Sequence, residues 1–479
     1  MEWNILANQI TGIVFNIIYT GIIIGTIIVI LLDNRNPVKT IAWILILIFL
    51  PLVGLVFYFF FGQTSRRERI IERKSYDRLL QKPMAEYQAQ EPLNIPEEHN
   101  RLMHLFWGIN QSFPFDCNQI ETYTDGYSKL HSLIRELSKA QNHIHLQYYI
   151  FEDDPVGRLI RDVLIDKAKQ GVEVRVIIDD VGCWHVPNNF YEEMRDGGIE
   201  VRSFLKVRFP LFTSKVNYRN HRKLVVIDGC VGFVGGMNLA WRYVKGYSWG
   251  IWRDTHIMIK GKAVHGLQTS FLLDWYFVDR TLITASRYFP RIDSCSGNAL
   301  TQIVTSDPIG EWKEIMQGIT MALNSSQKYF YIQTPYFLPT ETILAALQTA
   351  ALASVDVRLM IPERADNQFT HWASRSYLKD LLKAGVKVYI YQKGFLHSKM
   401  MVSDDSLSSV GSTNIDFRSF EHNFEVNAFI YDQETALYMK DIFIRDQKDC
   451  KQIYLKNWVK RPIHQRMIES VMRLLAPLL

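Results

Sequence analysis

The chain has 479 residues, 48% hydrophobic and 22% charged, with a formal net charge of +5 at pH 7. This is a globular composition, and the length allows about three domains. Five cysteines, at positions 117, 183, 230, 295 and 450, show no CxxC spacing; a disulfide framework and a zinc ribbon are disfavoured, and isolated thiols suit a reducing compartment.

Two charge-free runs open the chain, Thr11 to Leu32 and Ile41 to Gly62, each of 22 residues. As helices they are about 33 Å long, enough to cross a ~30 Å hydrocarbon core. Neither shows the polar face of a buried core helix. The first lacks the basic n-region and small-residue cleavage site of a signal peptide. The prediction is a two-helix transmembrane hairpin over residues 1–63. The connecting loop holds Arg35 and Lys39, whereas Arg66, Arg67, Arg69, Arg73, Lys74 and Arg78 follow the second run. This excess predicts a multi-pass protein of the cell membrane with everything after the hairpin on the cytoplasmic side. The same basic run is placed to meet anionic head groups.

Residues 64–115 read as a basic juxtamembrane segment and a polar linker with some helix. Strand and helix patterns then alternate: a strand at 142–151, a helix, a buried strand at 172–179, a second helix and a strand at 199–204. The order returns with strands at 328–337, 355–362 and 386–391, and Gln147 and Gln333 occupy matching places. This predicts an α/β layer structure with a largely parallel sheet, in two related halves, 116–300 and 301–479.

Each half carries one copy of a reactive pattern. HRKLVVIDGCVGFVGGMN starts at His221, and HSKMMVSDDSLSSVGSTN starts at His397, 176 positions later. In both copies Lys stands at +2, Asp at +7, Gly at +14 and Asn at +17: Lys223, Asp228, Gly235 and Asn238, then Lys399, Asp404, Gly411 and Asn414. A strand period of two puts each His and its Lys on one face. If the halves pack about a pseudo-twofold axis, both pairs converge. Two imidazoles, two ammonium groups and two amides suit a phosphodiester. Lys223 and Lys399 neutralise non-bridging oxygens, and Asn238 and Asn414 add hydrogen bonds to the phosphate. One neutral imidazole attacks phosphorus while the other, protonated, serves the leaving alkoxide. The lysines supply the positive charge, so no metal or other cofactor is expected. Asp254 and Glu425, each downstream of its own motif, are the candidates to orient the two histidines. Asp228 and Asp404 complete the motif set but sit beside a turn, where they are expected to hold local structure.

These motifs resemble the phospholipase D superfamily, whose signature is H-x-K-x4-D followed by G-x2-N in two copies. The resemblance implies two pseudo-twofold-related α-β-α lobes and a phosphohistidine intermediate. The run through Asn414, Asp416, Arg418, Ser419, Asn423 and Glu425 carries it further. Pro37, Thr40, Trp43, Pro51, Gly54, Tyr58 and Gly62, with LQYYIFEDD, YIQTPYFLP and RLLAPLL, make the chain resemble the bacterial cardiolipin synthases. That resemblance implies transfer of a phosphatidyl group from one phosphatidylglycerol to another, with anionic membrane lipids as partners. By analogy with related two-motif enzymes, His221 is the nucleophile and His397 the acid/base. A hydrolase using water as acceptor is the alternative. A nuclease is disfavoured by the hairpin and by the lack of a broad basic stripe, and a non-catalytic scaffold by two complete motifs.

Lesser features are read more plainly. His143 and His145 lack a third metal ligand and are read as structural. Glu152, Asp153 and Asp154 are read as a solvated loop, and Trp241, Trp249, Trp252 and Trp275 as core. The stretch from Val459 to Leu479 forms either an interfacial amphipathic helix or one docked on the second half.

Overall fold

The computed structural model describes residues 2–32, 37–58, 96–206, 218–295 and 297–476. It divides into an N-terminal unit and a large unit that begins after it.

In the N-terminal unit one helix runs Glu2–Leu32, followed by Pro37–Phe49 and Pro51–Phe57. Ile10–Leu32 is the one described helix long and apolar enough to cross a membrane, by length and composition. The second predicted span departs from a single helix. Leu50 leaves helical geometry, with φ −134° and ψ 62°, because a residue preceding proline is driven out of the α region. Residues 59–62 of that span, Arg35 of the loop and the basic run from Arg66 to Arg78 lie outside the described residues.

The large unit is built on one sheet. Its first lobe contributes β1 (Pro114–Tyr123), β2 (His143–Tyr148), β3 (Glu173–Asp179), β4 (Glu200–Phe204), β5 (Leu224–Ile227), β6 (Val231–Gly235) and β7 (His256–Gly261). The second lobe contributes β8 (Ala299–Ser306), β9 (Tyr329–Gln333), β10 (Asp356–Pro362), β11 (Lys387–Tyr391), β12 (Met400–Ser403), β13 (Leu407–Gly411), β14 (Asn423–Tyr431) and β15 (Cys450–Ile453). The strands lie in the order β15-β11-β10-β9-β12-β13-β14-β8-β1-β7-β6-β5-β2-β3-β4. Read outward from the β8–β1 junction, the two lobes repeat the same sequence of strands, which is the pseudo-twofold relation.

The expected largely parallel sheet is corrected. Along the main strand order β2-β3-β4 and β9-β10-β11 pair in parallel, while the β5–β6 and β12–β13 hairpins and the junction pair antiparallel. The reason is local: each His-Lys-Asp motif runs straight into a tight hairpin, and hairpins can only be antiparallel.

Helices cover both faces. Val264–Asp279 and Gln433–Gln447 bury Leu267, Phe271, Met439 and Phe443 in one core that extends through both lobes. On the other face each lobe has its own core. Gly126–Lys139 and Pro155–Lys169 cover the first lobe, and Glu314–Ser325, Glu341–Leu352 and Gln368–Ala384 the second. The end of the expected linker is a helix, Glu97–Asn110, whose Leu102, Met103 and Phe106 lie in the core of the second lobe. Asp154 caps the helix Pro155–Lys169 by accepting hydrogen bonds from Val156 and Gly157, so that acidic loop is ordered by capping.

The cysteines are not five isolated thiols. Cys117 and Cys295 are joined, with Cα atoms 4.7 Å apart. The β1–β8 register, Asn118 opposite Ala299, brings the start of one strand beside the approach to the other. Cys183, Cys230 and Cys450 are free.

Candidate active site

The two histidines are held in the same way, each by the other lobe. His221 lies just before β5; its backbone N–H donates to Phe424 O (2.9 Å), and its Nδ1 is 3.0 Å from Glu425 Oε1. His397 lies just before β12; its backbone N–H donates to Arg253 O (2.7 Å), and its Nδ1 is 2.7 Å from Asp254 Oδ2. The orienting carboxylates are therefore the predicted residues with their partners exchanged: Glu425 serves the first motif and Asp254 the second. Glu425 lies in β14 and Asp254 just before β7, the two strands that flank the β8–β1 junction, and each carboxylate meets the histidine of the other lobe. With Nδ1–H donated to a carboxylate, Nε2 is the nitrogen left to react.

The lysines sit beside them. Lys223 Nζ donates to His221 O (2.6 Å), and Lys399 Nζ donates to His397 O (2.5 Å). Both lysines are buried, and each feels both Asp254 and Glu425 electrostatically. That mutual influence places the four charged groups and two imidazoles in one site.

Burial dominates the electrostatics. It lowers His221 to about 4, with Glu425 opposing and Lys223 and Lys399 adding to the shift. It lowers His397 to about 3, where Lys399 reinforces it and Asp254 opposes. Burial also lowers Lys399 to about 8 and Lys223 well below its ordinary value. Burial pushes Glu425 and Asp254 upward, but the neighbouring His and Lys outweigh it, and both end below the usual carboxylate range. At neutral pH the site thus holds two neutral imidazoles over two carboxylates.

Asp228 and Asp404 do the structural work expected of them. Asp228 accepts from the backbone N–H groups of Gln141, Asn142 and His143 at 2.7–3.0 Å. Asp404 accepts from those of Gln327, Lys328 and Tyr329 at 2.7–2.9 Å. Each ties the motif hairpin to the start of the lobe's central strand, at the far end of the hairpin from the histidine. The motif glycines are required by close approach: a Cβ on Gly235 would lie 2.6 Å from the His256 Cα, and one on Gly411 would lie 2.1 Å from the Asn427 side chain.

The two asparagines are less alike than their spacing suggests. Asn238 accepts from Ile150 N–H (3.1 Å) and donates to the Tyr243 hydroxyl (2.5 Å), which ties it into the loop after β2. Asn414 is buried, with its amide oxygen unpaired, and its backbone N–H donates to Ser419 Oγ (3.2 Å). A second departure from symmetry concerns the carboxylates. Ser412, two residues before Asn414, donates to Glu425, which also accepts from Asn423 (3.1 Å). The equivalent position is Gly236, where a Cβ would lie 2.1 Å from Asp254 Oδ1.

Several contributors escaped the sequence reading. Gln147 donates to Asp274 and Gln333 to Asp446 (2.5 and 2.7 Å). Each aspartate also binds an arginine, Arg222 with Asp274 (2.6 Å) and Arg253 with Asp446 (2.8 Å). The matched glutamines were the available signal; their aspartates lie on helices more than a hundred residues away. Aromatic rings line the site: Tyr149 lies 5.2 Å from His221, and Trp252, Phe395 and Tyr336 lie 5.1, 5.5 and 6.5 Å from His397. Trp252 is core, as expected, and also a wall of the site, because Ile251–Arg253 pairs with Gly394–Leu396 beside His397. Trp275 is core and Trp241 is 41% exposed. His143 and His145 bond to Gln268 (3.0 and 2.8 Å) in the core. Among the described residues no group of three metal-ligating side chains occurs.

Paired His-Lys motifs on a duplicated lobe, each histidine oriented across the junction, define a phospholipase D-like phosphoryl-transfer enzyme. The family described as cardiolipin synthase, PLD-like domain, matches residues 133–275 and 319–447, and a phospholipase D-nuclease N-terminal family matches 21–63. The cardiolipin synthase of Geobacillus sp. (strain WCH70) is 41% identical over 94% of this chain and 91% of its own length. The major cardiolipin synthase of Bacillus subtilis (strain 168) is 40% identical over 98% of this chain and 100% of its own. The fold is shared with phosphatidylserine synthase of Haemophilus influenzae, at TM-score 0.61 and 15% identity, over 79% of this chain and 98% of that one. The chain belongs to the cardiolipin synthase family of phospholipase D-like enzymes, which are phosphatidyl-group transferases.

Proposed function

We propose that the protein joins two phosphatidylglycerol molecules into cardiolipin and glycerol. The observation that carries this reading is the pair of imidazoles, each bound through Nδ1 to the opposite lobe's carboxylate and flanked by a buried lysine. His221 Nε2 attacks the phosphorus of the first lipid, and a phosphorus–nitrogen bond forms as the bond to the glycerol oxygen breaks. His397, charged by a proton that the bound phosphate's negative charge stabilises, gives that proton to the departing glycerol. It then takes a proton from the free glycerol hydroxyl of the second lipid, whose oxygen attacks phosphorus and releases His221. Lys223 and Lys399 hold the non-bridging oxygens throughout. Asn414 and Asn238 complete the phosphate's hydrogen bonds.

The aromatic wall of Tyr149, Trp252, Phe395 and Tyr336 supports lipid transfer over hydrolysis, because it limits water at the covalent intermediate. In this reading the protein is a multi-pass protein of the bacterial cell membrane, spanning it as the hairpin with the lobes on the cytoplasmic side, a placement supported by the basic excess after Gly62. Purified protein in mixed micelles containing only phosphatidylglycerol tests the reading by mass spectrometry. Cardiolipin with equimolar glycerol is the expected result; phosphatidic acid without cardiolipin would make the enzyme a hydrolase. A phosphatidyl adduct on the His221 peptide of the His397→Asn variant is expected, and an adduct found instead on His397 in His221→Asn would reverse the two roles.

A further inference from the structure

The C-terminal helix Ile463–Leu475 is docked the wrong way round for a water-soluble protein. Its polar side faces inward. Glu469, buried to 3% exposure, is held by Arg461 (2.8 Å) and Arg375 (3.3 Å), and Arg473 binds Asp380 (3.0 Å). Arg461 also stacks 3.3 Å from the Trp458 ring, and Arg473 stacks 4.3 Å from the Tyr377 ring. Ile463, Met467, Val471 and Leu474 recur at i, i+4, i+8 and i+11, one face of a helix, and are between 52% and 78% exposed. Ile468 and Leu475 widen that face. The inward side also sets Met472 and Ala476 against the core of the second lobe, but the longer apolar stripe is left outside.

We propose that this stripe lies in the interface of an anionic lipid bilayer, as a second membrane contact distinct from the N-terminal helices. Charge selects the occupant. From Lys451 to the C-terminus six residues are basic and Glu469 alone is acidic, and Glu469 is consumed by the inward ion pairs. Lys456, Lys460 and Arg466 remain exposed around the stripe. Exposed apolar residues in a segment whose exposed charges are all basic match an anionic membrane surface. A second copy of the chain would set those like charges against each other in a twofold contact.

Position gives the contact a purpose. The helix runs in the same direction as Gln368–Ala384, with Glu469 on Arg375 and Arg473 on Asp380. Extending that register puts Ile463 toward the end where that helix begins, the end that carries Phe369, which is 57% exposed. The preceding loop carries Asp366, bonded to Tyr336 (2.7 Å), whose ring faces His397. The stripe thus starts at the active-site end of the second lobe. The inference rests on the lipid-substrate reading only for this purpose; the contact itself is independent of turnover.

The test uses the full chain made inactive by His221→Ala, reconstituted into phosphatidylcholine vesicles doped with phosphatidylglycerol bearing a photoreactive acyl chain. Lipid adducts are expected on the 463–475 peptide, and the double variant Met467→Glu, Val471→Glu is expected to cut them about tenfold with an unchanged melting temperature. Adducts confined to the N-terminal helices, with 463–475 labelled by a water-soluble carbene probe, would overturn the proposal. So would protection of the peptide in lipid-free detergent together with chain-to-chain crosslinks, which would assign the stripe to a second copy. Since the variant does no chemistry, failure of the transfer reading would leave this outcome unaffected.

Discussion

His221 and His397 are each bound by a carboxylate that stands 204 and 143 positions away in the chain, Glu425 and Asp254. Replacing either carboxylate by its amide keeps the shape but removes the charge that fixes the tautomer. Glu425→Gln and Asp254→Asn are each expected to lower kcat by about 10²–10⁴-fold while circular dichroism stays that of the wild type; a change under threefold would sink the orienting role. Ser412 gives Glu425 a hydroxyl donor that Asp254 lacks. Ser412→Ala should therefore slow turnover by about tenfold, and it should do so by perturbing the His221 side alone. Asp228 and Asp404 belong to another class. Each satisfies three backbone N–H groups, so Asp228→Ala or Asp404→Ala should cost about 2–4 kcal/mol of stability in urea unfolding. Asp228 and Asp404 were readable from the motif spacing, Glu425 and Asp254 were candidates downstream of it, and Ser412 carried no signal of its own. The pairing was not readable: near-symmetry suggests that each carboxylate serves its own motif, and only the cross-lobe geometry exchanges them.

At the scale of elements, the two hairpins and the parallel β2-β3-β4 and β9-β10-β11 groups follow from alternation and turn residues. The sheet's mostly antiparallel pairing does not, because helix-strand alternation alone suggests crossovers throughout. The helix Glu97–Asn110 shows the same limit. Its sequence is polar enough to read as linker, and its apolar side chains acquire meaning only against the second lobe. Phe106 lies 4.5 Å from the Phe429 ring, and a Cβ on Gly318 would come 2.1 Å from Phe106. Phe106→Ala should cost about 3–5 kcal/mol through the cavity left behind. Calorimetry should register the loss as a lower Tm, with activity per folded molecule retained.

At the scale of the molecule, the lobes share a core and each histidine is bound by a carboxylate of the other lobe, so neither is expected to be an enzyme alone. Residues 96–295 contain a complete motif but lack Glu425, and expressed separately they should show no transfer in the micelle assay. Stability should also carry the signature of the buried imidazoles. His221 and His397 are lowered to about 4 and about 3 in the folded state, against about 6.5 unfolded. Between those values the unfolded chain binds protons that the folded chain refuses. Their contribution is therefore fully present above pH 6.5 and lost as pH falls, by about 1.4 kcal/mol per pH unit for each histidine. Urea unfolding at pH 7 and pH 5 should show this fall, and His397→Asn should flatten it; an unchanged slope would mean that His397 is not held neutral by burial.

The amino-acid sequence determined the duplication, the two His-Lys-Asp motifs and the apolar N-terminal helix, because all three are written in local spacing and in runs of one residue class. Tertiary structure alone decided which carboxylate serves which histidine, which tryptophan walls the site, that Cys117 meets Cys295, and which way the last helix faces. Each of these depends on contacts between residues far apart in the chain, and periodicity within a segment says which face is apolar without saying what that face will meet.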